Sequence, residues 1–140
     1  MKHLFLDDVR MPYEVGNYML PVELRSMYRK EEWNIVRSHK EFVEWIENNG
    51  LPDVISFDHD LAEIHYHATI RREEIRYLED TGYTSAKWLC EYCTENNLPL
   101  PMYYVHSMNP IGAENIQNLL DNYRRRHAED NSKEQEKKQT

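Results

Sequence analysis

The chain has 140 residues, 40% of them apolar and 11% aromatic, which suits one domain with one core and excludes disorder throughout. Its net charge is −8; residues 124–140 hold six Lys/Arg against four Asp/Glu, so residues 1–123 carry about −10, a field that opposes tight duplex DNA binding but tolerates a small phosphate-bearing ligand held near a metal ion. No apolar run approaches the ~20 residues of a membrane span, and "MKHLFLDD" lacks the long apolar stretch of a signal peptide, so a cytoplasmic location without membrane contact is expected. The first element in chain order is "HLFL", a short buried strand that runs into Asp7 and Asp8. Residues 11–32, with Pro12, Gly16 and Pro21, predict a long connection with a short helix near "VELRSMYRKEE".

"WNIV" (33–36) is a second strand candidate. Ser38 and Glu41 then have the spacing of a capping box, Phe42, Trp45, Ile46 and Asn49 follow at helical spacing, and Gly50 supplies a stop. The third strand is "DVISFD". Residues 61–81 are polar and predict a helical insertion, which carries His65, His67, Arg71, Arg72 and Arg76 as a solvated, salt-paired surface or a looser ligand cluster. A helix is expected from about Thr84 to Asn96. Its Cys90 and Cys93 lie well inside it, where the helix dipole does not activate a thiol, so packing is the preferred reading of this C-x-x-C. The fourth strand is "MYYVHS" (102–107), followed by Asn109 as N-cap, Pro110 at the first helical position, and Ile116, Leu119, Leu120 and Tyr123 on one helical face. Residues 124–140 lack such a face and predict a charged, flexible tail beyond a domain of residues 1–123. Strands alternating with helices predict an α/β fold with a mainly parallel sheet of four to five strands and helices on both faces.

In such sheets ligands bind beyond the carboxyl ends of the strands, where the strand order reverses. Three predicted strands end there in polar residues: Asp7 and Asp8; Asp58, His59 and Asp60; and His106, Ser107 and Asn109. Clustered carboxylates repel one another, and Mg²⁺ or Mn²⁺ relieves this, which makes Asp7, Asp8, Asp58 and Asp60 candidate metal ligands. Ser107 and Asn109 precede a helix whose N-terminal N–H groups favour an anion, so they are candidate phosphate-binding residues. His106 and His59 are candidates for proton transfer, with Asp58 the third candidate catalytic residue. Each residue alone has a plainer reading: Asp7 or Asp8 caps a turn, Asp60 and Asn109 are N-caps, and His106 is a hydrogen-bonded core histidine.

"FLDDVRMP", "SFDHDL", "TGYTSAKWL" and "HSMNPIGAENI" together resemble the cyclic-phosphate-processing receiver-like domain, a bacterial and phage relative of response-regulator receiver domains, over about residues 3–123. The resemblance implies a flavodoxin-like three-layer fold and a role in handling cyclic or terminal phosphates linked to RNA repair. Asp7 and Asp8, Asp58, and Ser107 match the acidic pair, acceptor aspartate and hydroxyl of receiver domains. No fifth strand with the receiver lysine is evident, and His59, Asp60, His106 and Asn109 are added. The leading expectation is therefore a metal-dependent phosphoesterase, a cyclic phosphodiesterase or phosphatase, acting on a nucleotide or RNA end. The alternatives are a phospho-accepting switch at Asp58 and a non-catalytic interaction protein that binds a partner through loops 11–32 and 61–81.

Overall fold

The computed structural model describes residues 1–61 and 81–139, with side chains as far as residue 130. The expected insertion, with His65, His67, Arg71, Arg72, Arg76 and the partner surface placed there, therefore lies outside the described residues. Four strands, β1 (His3–Leu6), β2 (Trp33–Val36), β3 (Val54–Phe57) and β4 (Met102–Val105), form one sheet in the order β2-β1-β3-β4. Every pairing is parallel, with Leu6 opposite both Val36 and Phe57, and Phe57 opposite Val105. β1 and β3 are buried at every residue, as expected of parallel strands covered on both faces.

Side chains alternate between the faces of a strand, so the register sorts the core into two halves. Leu4, Leu6, Val36, Ile55 and Phe57 pack with α3 (His39–Asn49), α4 (Gly82–Asn96) and α5 (Pro110–Gln139). Phe5 packs on the opposite face with Val15, Met19 and Tyr28, joined by Trp33, Ile35 and Tyr104. These contacts come from α1 (Pro12–Val15), a 3-10 turn (Val22–Leu24) and α2 (Arg25–Lys30). Residues 11–32, expected as a long connection with a short helix, thus form the cover of one sheet face. Tyr13, Leu20 and Val22 of this segment stay exposed. The chain moves outward from β1 to β2 and then back past β1 to β3. The order reverses between β1 and β3, and the connecting helices change face there, as right-handed crossovers require.

Local chemistry sets the helix ends. Ser38 Oγ accepts the Glu41 N–H at 3.1 Å, the forward half of the expected capping box, while the Glu41 carboxylate accepts the N–H of Arg37. Gly50, at φ 79°, ends α3 in a conformation that a side chain would strain. α4 starts at Gly82, two residues before the expected Thr84, because Thr81 and Thr84 cap each other reciprocally. Cys90 and Cys93 are buried in α4 as free thiols, pushed up by burial to about 12 and about 11, which matches packing rather than redox chemistry. α5 continues to Gln139 through the segment expected as a tail, which lacks Gly and Pro and is rich in the helix formers Arg, Glu, Lys and Gln. Among the described residues no helix is long and apolar enough to cross a membrane.

Candidate functional site

The parallel ladder runs one residue past the strands. Asp7 N–H donates to Val36 O, Asp58 N–H to Leu6 O, and His106 N–H to Phe57 O, at 3.2, 2.9 and 2.9 Å. Asp7, Asp58 and His106 therefore stand side by side in one row at the carboxyl edge of the sheet. Alternation puts them on the face of Phe5, Ser56 and Tyr104, the side covered by α1 and α2. The row spans the reversal between β1 and β3, where a doubly wound sheet opens a crevice.

Asp7 is fully buried and heavily hydrogen-bonded. Its Oδ1 accepts the N–H groups of Val9 and Arg10 at 3.0 and 2.9 Å, and its Oδ2 accepts from His106 Nε2 at 3.0 Å. Burial pushes its pKa up, but these bonds outweigh burial and hold the carboxyl below its usual value. His106 is 1% exposed, and burial lowers its pKa against the opposing pull of Asp7, which keeps the ring neutral. An ionised Asp7 only accepts, so the ring proton sits on Nε2, and Nδ1 accepts from Ser56 Oγ at 2.6 Å. The Tyr28 hydroxyl then donates to Ser56 Oγ, also at 2.6 Å. Phe5 stacks on the imidazole at 4.5 Å and 5° between planes, and the Tyr18 hydroxyl donates to the His106 carbonyl. Both ring nitrogens of His106 are thus committed inside the core.

Asp58 has the opposite balance. Burial first, and then the charge of Asp7, push its carboxyl up to about 7, against the pull of Arg10 and a hydrogen bond from Ser107. Among the described residues the cation beside both carboxylates is Arg10, whose Nη1 lies 3.7 Å from Asp7 Oδ2 and 4.0 Å from Asp58 Oδ1. A second arginine, Arg37, fixes the loop itself by donating to the carbonyls of Asp7 and Arg10 at 3.0 and 2.6 Å. Asp7, Asp58 and His106 offer ligand atoms within 4.8 Å of one another. Because the imidazole lone pair is spent on Ser56, the donors this cluster leaves for a cation are carboxylate oxygens of Asp58 and Asp7. Partly buried Asp8 is close enough to raise the Asp58 pKa further. An all-oxygen set suits Mg²⁺ or Mn²⁺ better than zinc.

The other parity leads to a second group. His59 Nδ1 lies 2.8 Å from Asp60 Oδ1, which also accepts from Asn109 Nδ2 at 3.4 Å. Asp60 thus orients His59 and stands apart from the Asp7–Asp58–His106 cluster. Asn109 caps α5, its Oδ1 accepting the Gly112 N–H at 3.0 Å, while Ser107 Oγ accepts the Asn109 N–H at 3.1 Å. Two glycines let the loop after β3 settle. A Cβ at Gly82 would sit 1.7 Å from the Asp58 carbonyl oxygen, and one at Gly112 would meet the His59 ring at 2.3 Å.

The fold therefore gathers the residues expected from the three strand ends into two adjoining sets. Asp7, Asp8, Asp58, His106 and Ser107 form one, and His59, Asp60 and Asn109 the other. Sequence reasoning missed Arg10, Ser56 and Tyr28. Ser56 carried a signal, as the one polar residue inside the strand "VISF", and Arg10 follows the acidic pair in "DDVR". Tyr28 carried none, because its role depends on where α2 lands.

A parallel open sheet with an acidic pair after β1, an aspartate after β3 and a hydroxyl after β4 defines a receiver-like α/β domain. The chain belongs to the cyclic-phosphate processing receiver domain family, whose sequence model matches residues 2–122. Membership ties the protein to cyclic-phosphate processing. No curated protein and no solved structure matched the chain.

Proposed function

We propose that this protein is a metal-dependent phosphoesterase that opens a cyclic phosphate or removes a terminal phosphate on a nucleotide or RNA end. The observation that carries this reading is the divided carboxylate pair. Asp7 is ionised and accepts three hydrogen bonds, while Asp58 beside it is pushed up to about 7 by burial and by the charge of Asp7. Asp58 and Asp8, with the remaining lone pair of Asp7 Oδ2, would hold Mg²⁺ or Mn²⁺. Such an ion supplies Lewis acidity and a bound water of lowered pKa. His106 keeps Asp7 in place from within the core. Proton transfer to the leaving ribose oxygen falls to His59, which Asp60 orients and whose side chain is 19% exposed. Asn109 retains a second amide N–H for a phosphate oxygen, and Ser107 steadies Asp58.

The test is turnover of 2′,3′-cyclic AMP and a 3′-phosphate RNA oligomer with Mg²⁺ and Mn²⁺, followed by chromatography. His59→Ala should lose ~10²–10⁴-fold in rate, the usual share of a general acid or base, while still binding Mn²⁺. Gly112→Ala should reproduce much of that loss, because the nearest atoms its methyl group meets belong to the His59 ring, which must shift. If the wild type turns over neither substrate with either metal, this reading fails.

Asp58 at the end of β3 beside Ser107 also suits a phospho-accepting switch. The sheet edge where a lysine-bearing strand would add is β4, and among the described residues the cation paired with Asp58 is Arg10 from the β1 loop. Acetyl phosphate should therefore leave little stable adduct by intact mass. A stoichiometric adduct lost in Asp58→Asn would favour the switch instead.

A further inference from the structure

Two arginines serve the β1 loop, in different ways. Arg37 spends its guanidinium on direct bonds to Asp7 O, Arg10 O and Met11 Sδ. The Arg10 backbone is pinned by Asp7 Oδ1 and by Arg37, yet its guanidinium makes no direct hydrogen bond among the described residues. It has only two ion pairs, at 3.7 and 4.0 Å, both longer than a hydrogen bond, and a position 5.9 Å over the Tyr18 ring. Its side chain is 27% exposed, while the carboxylates beside it are nearly or fully buried. A planar fork of five donors is thus held beside two buried carboxylates by a hydrogen-bonded backbone, paired with them only at ion-pair distance among the described residues.

We propose that Arg10 is the residue that binds the substrate's phosphate, and that it doubles as the counter-charge of the Asp7–Asp58 pair in the unliganded protein. This rests on the metal-dependent reading of the same site. In the unliganded state Arg10 offsets the repulsion between the two carboxylates. With a divalent cation bound by the carboxylates, the guanidinium would be free to chelate two phosphoryl oxygens, the geometry for which arginine is suited and lysine is not. The cation that ordinary receivers bring from a fifth strand is here supplied by the loop after β1. A phosphate without the cation meets an arginine still engaged by carboxylates, so phosphate affinity should be stronger with metal than without it.

Calorimetry on the full chain separates the roles. Wild type, Arg10→Gln and Arg10→Lys are titrated with Mn²⁺ alone, and with inorganic phosphate and 2′,3′-cyclic AMP in the presence and absence of Mn²⁺. Arg10→Gln should bind Mn²⁺ at least as tightly as wild type, because a competing positive charge has gone. It should bind phosphate and cyclic nucleotide roughly 10–100-fold more weakly, the share of a charge-assisted hydrogen bond. Arg10→Lys should fall between, since it keeps the charge and loses the fork. Unchanged phosphate affinity in Arg10→Gln overturns the proposal, as does a wild type that binds neither phosphate compound under any condition. Loss of Mn²⁺ binding together with a lowered melting temperature in Arg10→Gln also overturns it, and would make Arg10 a structural clasp. If the wild type binds phosphate through Arg10 but binds no Mn²⁺, the metal-dependent reading fails while the assignment of Arg10 as phosphate ligand stands.

Discussion

Gly82→Ala should destabilise the protein by about 3 kcal/mol or more and abolish Mn²⁺ binding at the same time. Overpacking in a closed core commonly costs ~1–3 kcal/mol because flexible side chains give way. Here the added methyl meets backbone, the Asp58 carbonyl oxygen at 1.7 Å and its carbon at 2.8 Å. The loop cannot yield cheaply. Asp58 N–H is tied to Leu6 O, and the His59 carbonyl accepts the Gly82 N–H at 2.8 Å, so the strand end and the start of α4 must part. Urea denaturation gives the stability and Mn²⁺ calorimetry the site. Gly112→Ala is the contrast, because the nearest atoms its methyl meets are those of the His59 side chain, and it should leave both measurements close to wild type. Full stability and full metal binding in Gly82→Ala would show that the loop after β3 does not sit where it is described.

Asp58→Asn should lose Mn²⁺ binding, and in the metal-free protein it should be more stable than wild type at neutral and alkaline pH. The sign follows from linkage. With its folded pKa raised from 3.8 to about 7, Asp58 keeps a proton in the folded state that the unfolded chain has already released. Stability is therefore lost as pH rises through that window, at up to ~1.4 kcal/mol per pH unit. Asparagine has no charge to confine, so its advantage should be near zero around pH 4 and reach a few kcal/mol by about pH 8. Asp7 and His106 act in the other direction. Both have lowered folded pKa values, so both contributions are lost as pH falls, Asp7 below its ordinary range and His106 below about 6.5. The difference between variant and wild type isolates Asp58 from those two. Urea melts in chelator across this range measure it, and a gap that does not widen with pH would mean that Asp58 is not held at high energy. The same proton competes with metal, so wild-type Mn²⁺ affinity should fall about tenfold per pH unit below neutrality.

Local pattern in the chain was enough for the strands, the Ser38 cap, the Gly50 stop and the parallel α/β class, because each depends on neighbours a few residues apart. The strand ends were legible for the same reason: apolar runs broken by Asp7, Asp58 and His106 mark where a parallel sheet presents its carboxyl edge. The tertiary structure alone decided how those residues meet. Parallel register places Leu6, Phe57 and Val105 in one row, and the next residue of each strand then shares a row and a face. That buries the His106 ring between Asp7 and Ser56 and stacks it on Phe5, since these residues lie on the same face. Residues 11–32 look like an open connection until the sheet supplies the apolar face that Val15, Met19 and Tyr28 cover. Arg10 is one more charged loop residue until β1 and β3 bring Asp7 and Asp58 to either side of it. Periodicity is a property of neighbours in sequence, whereas register, burial and the pairing of charges arise between residues up to ~100 positions apart, and those contacts are set only when the sheet assembles.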